Sequence, residues 1–110
     1  MGRKMVALHD IQNVARRLGE VTRAERVILF GSHARDEADE GSDVDLLIIA
    51  PSTLPRHKRT PPLYGMFCPY PFPMDLLVYT PEEFRREEQS EQSLIQRILR
   101  EGRVVYEPGD

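Results

Sequence analysis

A small mixed β-sheet with helices packed on it, an α/β (α+β) arrangement, is the fold class that this sequence predicts. Three observations predict it. Apolar residues recur at helical spacing near the start, short apolar or β-branched runs stand near residues 26–30, 44–50, 73–79 and 104–106, and Thr80-Pro81-Glu82-Glu83 spells a helix start directly after the third run. At 110 residues the chain is long enough for one core and is read as one domain, residues 1–110.

In order, Leu8, Ile11, Val14, Ala15 and Leu18 form one apolar stripe, which predicts an amphipathic helix over residues 6–18 with Gly19 as its stop. Residues 20–25 link it to Arg26-Val27-Ile28-Leu29-Phe30, a short strand. Gly31 gives the backbone a tight exit, Ser32 stands where a helix begins, and residues 33–37 read as a helical turn or two. Asp39-Glu40-Gly41-Ser42 is a loop, and Val44 to Ala50 is a nearly unbroken apolar run, as expected of a strand buried on both faces. Seven of the nine prolines fall between Pro51 and Pro73, around the basic cluster Arg56-His57-Lys58-Arg59. That density blocks long helices and interior strands, so the stretch is read as an irregular surface crossover with one helical turn. Pro73 to Tyr79 is the next strand. Thr80 then caps a helix with Pro81 at its first position and Glu83 closing a capping box. Ser90 is read as the cap of a further helix carrying Leu94, Ile95, Ile98 and Leu99 and ending at Gly102, before a last strand at Val104-Val105-Tyr106.

Composition narrows the function. Forty per cent hydrophobic and thirty per cent charged residues are ordinary for a globular chain, and a net charge of −3 argues against general grip on a nucleic-acid backbone. The lone Cys68 leaves neither an internal disulfide nor a zinc cluster. No apolar stretch reaches the length needed to cross a bilayer, and none near Met1 reads as a secretory leader. A reducing cytoplasm is therefore the expected compartment, with no membrane partner.

The chemistry lies in residues 30–49. Free backbone N–H groups and a hydroxyl at a tight turn make a phosphate site, and Gly31-Ser32 offers both. Asp43 and Asp45 are two apart at the start of a strand, so they share a face about 6 to 7 Å apart. Carboxylates so close to a core repel each other and lose hydration. A hard divalent cation compensates, because Mg²⁺ takes one or two protein carboxylates and completes its shell with water and phosphate oxygens. Alone, Asp43 reads as easily as a turn residue, Asp75 as an edge-strand carboxylate in water, and Ser32 as a helix cap. His9, His33 and His57 read as solvated, the basic cluster as a wet loop or a contact for acceptor or triphosphate, and residues 82–91 as an exposed helix face.

Gly31-Ser32, ten residues, then Asp43-Val44-Asp45, with Asp75 on a later strand, resembles the signature of the nucleotidyltransferase superfamily that includes DNA polymerase β. The resemblance is strongest to its minimal stand-alone members, covers residues 26–106, and extends to the flanking Ala34-Arg35 and Ser42. A proline-rich crossover departs from the connecting helix often found there. The resemblance implies a polymerase β-like fold and transfer of a nucleoside monophosphate, AMP from ATP, to a hydroxyl acceptor with two Mg²⁺ ions. It implies that Asp43, Asp45 and Asp75 hold the metals, with Asp75 on the acceptor side taking the proton. Gly31 and Ser32 would hold the β- and γ-phosphates, and Arg35 would neutralise phosphate charge or else pair with Asp36, Asp39 or Glu40. Larger relatives carry a helical domain for which this length leaves no room, so a partner or a second copy is expected to supply the rest. Minimal members are often antitoxins that attach AMP to a tyrosine of a helical HEPN-type toxin. Transfer to a small hydroxylated molecule, or a silent module that caps a helical partner, are the alternatives.

Overall fold

In the computed structural model, which describes residues 6–109, four strands form one sheet in the order β3-β2-β1-β4. The strands are β1 (Arg26–Phe30), β2 (Val44–Ile49), β3 (Met74–Tyr79) and β4 (Arg103–Tyr106). β1 runs antiparallel to both β2 and β4, whereas β2 and β3 are parallel. A parallel pair needs a long connection, and the proline-rich segment between β2 and β3 provides it. The helices are α1 (Leu8–Thr22), α2 (Pro61–Tyr64), α3 (Pro81–Glu88) and α4 (Leu94–Glu101), with a 3-10 turn at Arg56–Lys58. No helix among the described residues is long and apolar enough to cross a membrane.

Side chains alternate across a strand, so β2 feeds both faces of the sheet. Leu46 and Ile48 pack with Ile11, Val14 and Leu18 of α1 and with Leu63, Phe67 and Phe72 of the crossover. Leu47 and Ile49 pack on the other face with Phe84 of α3 and Ile95 and Ile98 of α4. That two-sided burial explains the unbroken apolar run.

Several sequence readings change. α1 does not stop at Gly19 but continues to Thr22, where Arg23 adopts a left-handed φ of 58° and its N–H donates to the Gly19 carbonyl. Gly19 is instead a close-packing site, since any Cβ there would enter the ring of Tyr106. Residues 32–36 form hydrogen-bonded turns rather than a helix. Ser93, not Ser90, caps α4, accepting from the Gln96 N–H at 3.1 Å. Only Ile95 and Ile98 of the predicted stripe are buried, while Leu94 and Leu99 are exposed.

The basic cluster is also not a wet loop throughout. Arg59 is 7% exposed and forks onto Glu83, at 2.6 Å to Oε1 and 3.2 Å to Oε2. It also donates to the carbonyls of Leu54 and Val78. Arg56 lies over the Tyr79 ring at 4.2 Å. Glu83 simultaneously accepts from the Thr80 N–H and completes the capping box that the sequence predicts. These donors hold its carboxyl down to about 2, with the Arg59 hydrogen bonds as the main cause.

Glu83→Ala is therefore expected to cost about 1–3 kcal/mol, because it removes a helix cap and leaves Arg59 unpaired. Folding depresses this carboxyl, so its contribution is complete above its ordinary value of 4.5 and is lost as the pH falls towards about 2. Thermal unfolding of both proteins across that window should show their stability difference narrowing as acid is added.

Candidate active site

The site residues expected from the sequence gather where β1 leaves the sheet and β2 enters it. Phe30, the last residue of β1, pairs with Asp45, and Asp45 pairs in parallel register with Asp75. Register partners project from the same face, so Asp45 and Asp75 share the α3–α4 face of the sheet, and Asp43, just before β2, is close enough for its charge to act on Asp45. Deeper along that face, Leu47, Ile49 and Tyr79 are buried. Asp45 thus sits half-buried on the rim of a core, with Asp43 and Asp75 exposed beside it.

That placement has an electrostatic cost. Asp45 is pushed up from the ordinary carboxylate range, mainly by burial, then by the charges of Asp75 and Asp43, with partial relief from His33 and Arg35. Among the described residues, none of the three acids is ion-paired with a Lys or Arg.

Gly31 makes the corner above Asp45. Its φ of +73° lies in the left-handed region, and a Cβ there would collide with Asp45 Oδ2. The turn is closed by Ala34 and Arg35 N–H groups donating to the Gly31 carbonyl at 3.1 and 3.2 Å, and by the Glu37 N–H donating to Ser32 at 2.9 Å. The N–H groups of Ser32 and His33 and the Ser32 hydroxyl donate to no described residue. A phosphate cradle needs such free donors, here supplied by a turn and not by a helix start.

The loop between the two motif halves is built to close the gap. Asp39 Oδ1 accepts from the Gly41 N–H at 2.9 Å and from the Ser42 hydroxyl at 3.1 Å. His33 Nε2 then reaches the Ser42 carbonyl at 3.3 Å, and because a carbonyl only accepts, this nitrogen carries the proton. Read as solvated from sequence, His33 thus ties the turn to the residue before Asp43.

Arg35 is not paired with Asp36, Asp39 or Glu40. It donates to Glu37 at 2.8 Å and to Glu101, at the end of α4, at 3.1 Å. Both contacts are exposed, so moving the guanidinium onto a phosphate would cost little. Tyr64 is a site neighbour that the sequence reading missed. Its hydroxyl accepts from the Leu76 N–H at 2.8 Å, and burial is the main cause that pushes its pKa up, with Asp75 and Asp43 adding to the rise. Nothing in its sequence context signals this, because the contact spans the whole end of the crossover.

The residues also bear on the metal question. Among the described residues, no three His, Cys, Asp or Glu side chains are drawn together into a finished cation cage. The donor chemistry nevertheless fits a hard divalent ion: oxygen ligands only, on adjacent strands, with Asp45 charged at a cost that a cation would offset.

Residues 11–70 match the family model described as a nucleotidyltransferase domain. A 54-residue stretch is 41% identical to a Methanocaldococcus jannaschii protein named "Putative protein adenylyltransferase". The match takes in 49% of this chain and 54% of that relative, so the chain spans about half the length of the curated protein it matches. Among solved structures, one described as a "toxin-antitoxin with AMP-PNP" superposes with a TM-score of 0.63 at 20% identity, over 89% of this chain and 74% of the other. A "putative nucleotidyltransferase" from Sulfolobus solfataricus superposes with a TM-score of 0.61 at 18% identity, over 98% and 93%. At these identities the structures establish a shared fold. With the family model covering more than half of its length, this chain belongs to the nucleotidyltransferase domain family.

Proposed function

We propose that this chain is one nucleotidyltransferase domain that moves a nucleoside monophosphate, AMP from ATP, to a hydroxyl acceptor. The observation that carries the reading is the parallel register of Asp45 with Asp75, beside a turn whose free N–H groups suit a triphosphate. The family match and the adenylyltransferase relative support the reaction class.

The Ser32 hydroxyl and the N–H groups of Ser32 and His33 bind the outer phosphates, and Gly31 allows the backbone to approach them without a side chain in the way. Arg35 exchanges Glu37 and Glu101 for phosphate oxygens. Asp43, Asp45 and Asp75 are the residues that would hold Mg²⁺, which when bound neutralises triphosphate charge and polarises the α-phosphoryl group. An acceptor hydroxyl oxygen forms a bond to the α-phosphorus, the bond to pyrophosphate breaks, and the acceptor proton passes to the Asp75 carboxylate. His33 keeps the turn and the Asp43 strand entrance at a fixed separation through Ser42.

For the acceptor, the favoured choice is a tyrosine of a HEPN-type helical partner, in the role of an antitoxin in the cytoplasm. The toxin–antitoxin structure with the same fold supports this context. The test incubates the protein with Mg²⁺ and α-labelled ATP, with and without the protein encoded by the neighbouring gene. Label on that protein supports partner adenylylation, and label on an added aminoglycoside or other polyol redirects the reading to small molecules. Absence of transfer in every combination overturns it.

A further inference from the structure

The crossover is fastened to the outer edge of β3 at two points, and one of them is next to Asp75. The Val44 N–H donates to Pro73 and the Ala50 N–H to Tyr79, which fixes which backbone groups of β3 face β2. Alternation then turns the N–H and C=O groups of Leu76 and Val78 off the edge of the sheet. Tyr64 Oη covers the Leu76 N–H at 2.8 Å, and Arg59 covers the Val78 carbonyl at 3.1 Å.

Asp75 itself is exposed, and its side chain makes no hydrogen bond or ion pair to a described residue. Its position therefore depends on its backbone. On the β2 side the ladder holds that backbone, and on the outer side the nearest restraint is the Tyr64 hydroxyl on the following residue. Tyr64 is in turn held by its own N–H on the Thr60 carbonyl at 3.0 Å and by the Tyr70 ring, edge-on at 6.3 Å between centroids.

We propose that Tyr64 is a positioning residue for the acceptor-side carboxylate: its hydroxyl pins the edge strand at Leu76 and so fixes Asp75. The proposal rests on the transferase reading above. Removing this one oxygen leaves the fork of Arg59 on Glu83 and the Arg59 contact to Val78 intact, so the crossover stays docked. The ring also keeps its packing against the core.

Tyr64→Phe isolates the hydroxyl. In the nucleotide-free protein, the Leu76 amide should exchange with solvent roughly tenfold faster or more, with Leu46 and Leu47 unchanged, since an edge N–H has lost its acceptor. With ATP, Mg²⁺ and the protein encoded by the neighbouring gene as acceptor, kcat should fall roughly ten- to a hundredfold while KM for ATP holds within about twofold. Unchanged Leu76 exchange overturns the proposal, as does faster exchange with unchanged kcat. A general fall in stability that moves KM and kcat together also overturns it, because that is what a merely structural residue would give. An inactive wild-type chain defeats the transferase reading and this proposal with it, whereas an active wild type matched by an equally active variant defeats only the latter.

Discussion

Asp45→Asn is expected to lower nucleotidyl transfer by about three orders of magnitude or more while leaving the fold intact or slightly more stable. The two effects have the same cause. Asp45 is the most crowded of the three carboxylates, partly buried and facing Asp75 and Asp43 with no salt bridge to a described residue. A charge held there is useful to a bound cation and unfavourable without one. Because folding raises this acid above its ordinary value, the folded chain binds the proton more tightly than the unfolded chain does. Its contribution to stability is thus most favourable at low pH and declines as the pH rises through the window between the ordinary value, 3.8, and the raised one. An asparagine removes that decline. Cation binding should show the opposite dependence in the wild type, weakening as acid protonates Asp45. Calorimetric unfolding of both proteins between pH 4 and 8, beside a label-transfer assay, reads all three effects. Transfer that survives at wild-type rate would remove Asp45 from the machinery.

Gly31→Ala should damage both stability and transfer. The new Cβ must adopt a φ of +73° and meets Asp45 Oδ2. Left-handed strain and displacement of a half-buried carboxylate together should cost roughly 1–3 kcal/mol, and transfer should be lost. Strain and collision can be separated. Combining Gly31→Ala with Asp45→Ala should recover the collision part and leave about 1 kcal/mol of backbone strain. If the double variant is no more stable than the single one, Asp45 is not what the methyl group strikes.

What the sequence makes legible is whatever is encoded within a few residues. The Thr80–Glu83 capping box is complete in four letters, and the structure contains it as spelled. The apolar run of β2 interrupted only by Asp45 gives both the strand and the odd residue in it. Even the shared face of Asp45 and Asp75 follows from strand alternation once β2 and β3 are known to be parallel neighbours. Long-range partners are what the sequence conceals. Gly19 looks like a helix stop until Tyr106, from the far end of the chain, is found lying against it. Arg59 looks like solvated charge because its partner Glu83 is 24 residues away, and Arg35 finds Glu101 across 66. Ser90 and Ser93 are equally good caps locally, and the hydrogen bond from the Ser93 hydroxyl to the Glu87 carbonyl, bridging α3 and α4, accompanies the choice of the latter.

The two borders of the sheet are unlike. Along β3, the Leu76 N–H and the Val78 carbonyl already have side-chain partners, while β4 ends the order on the other side. A foreign strand adding to β3 would first have to displace a tyrosine hydroxyl and a guanidinium, so that border is guarded by side chains of the crossover.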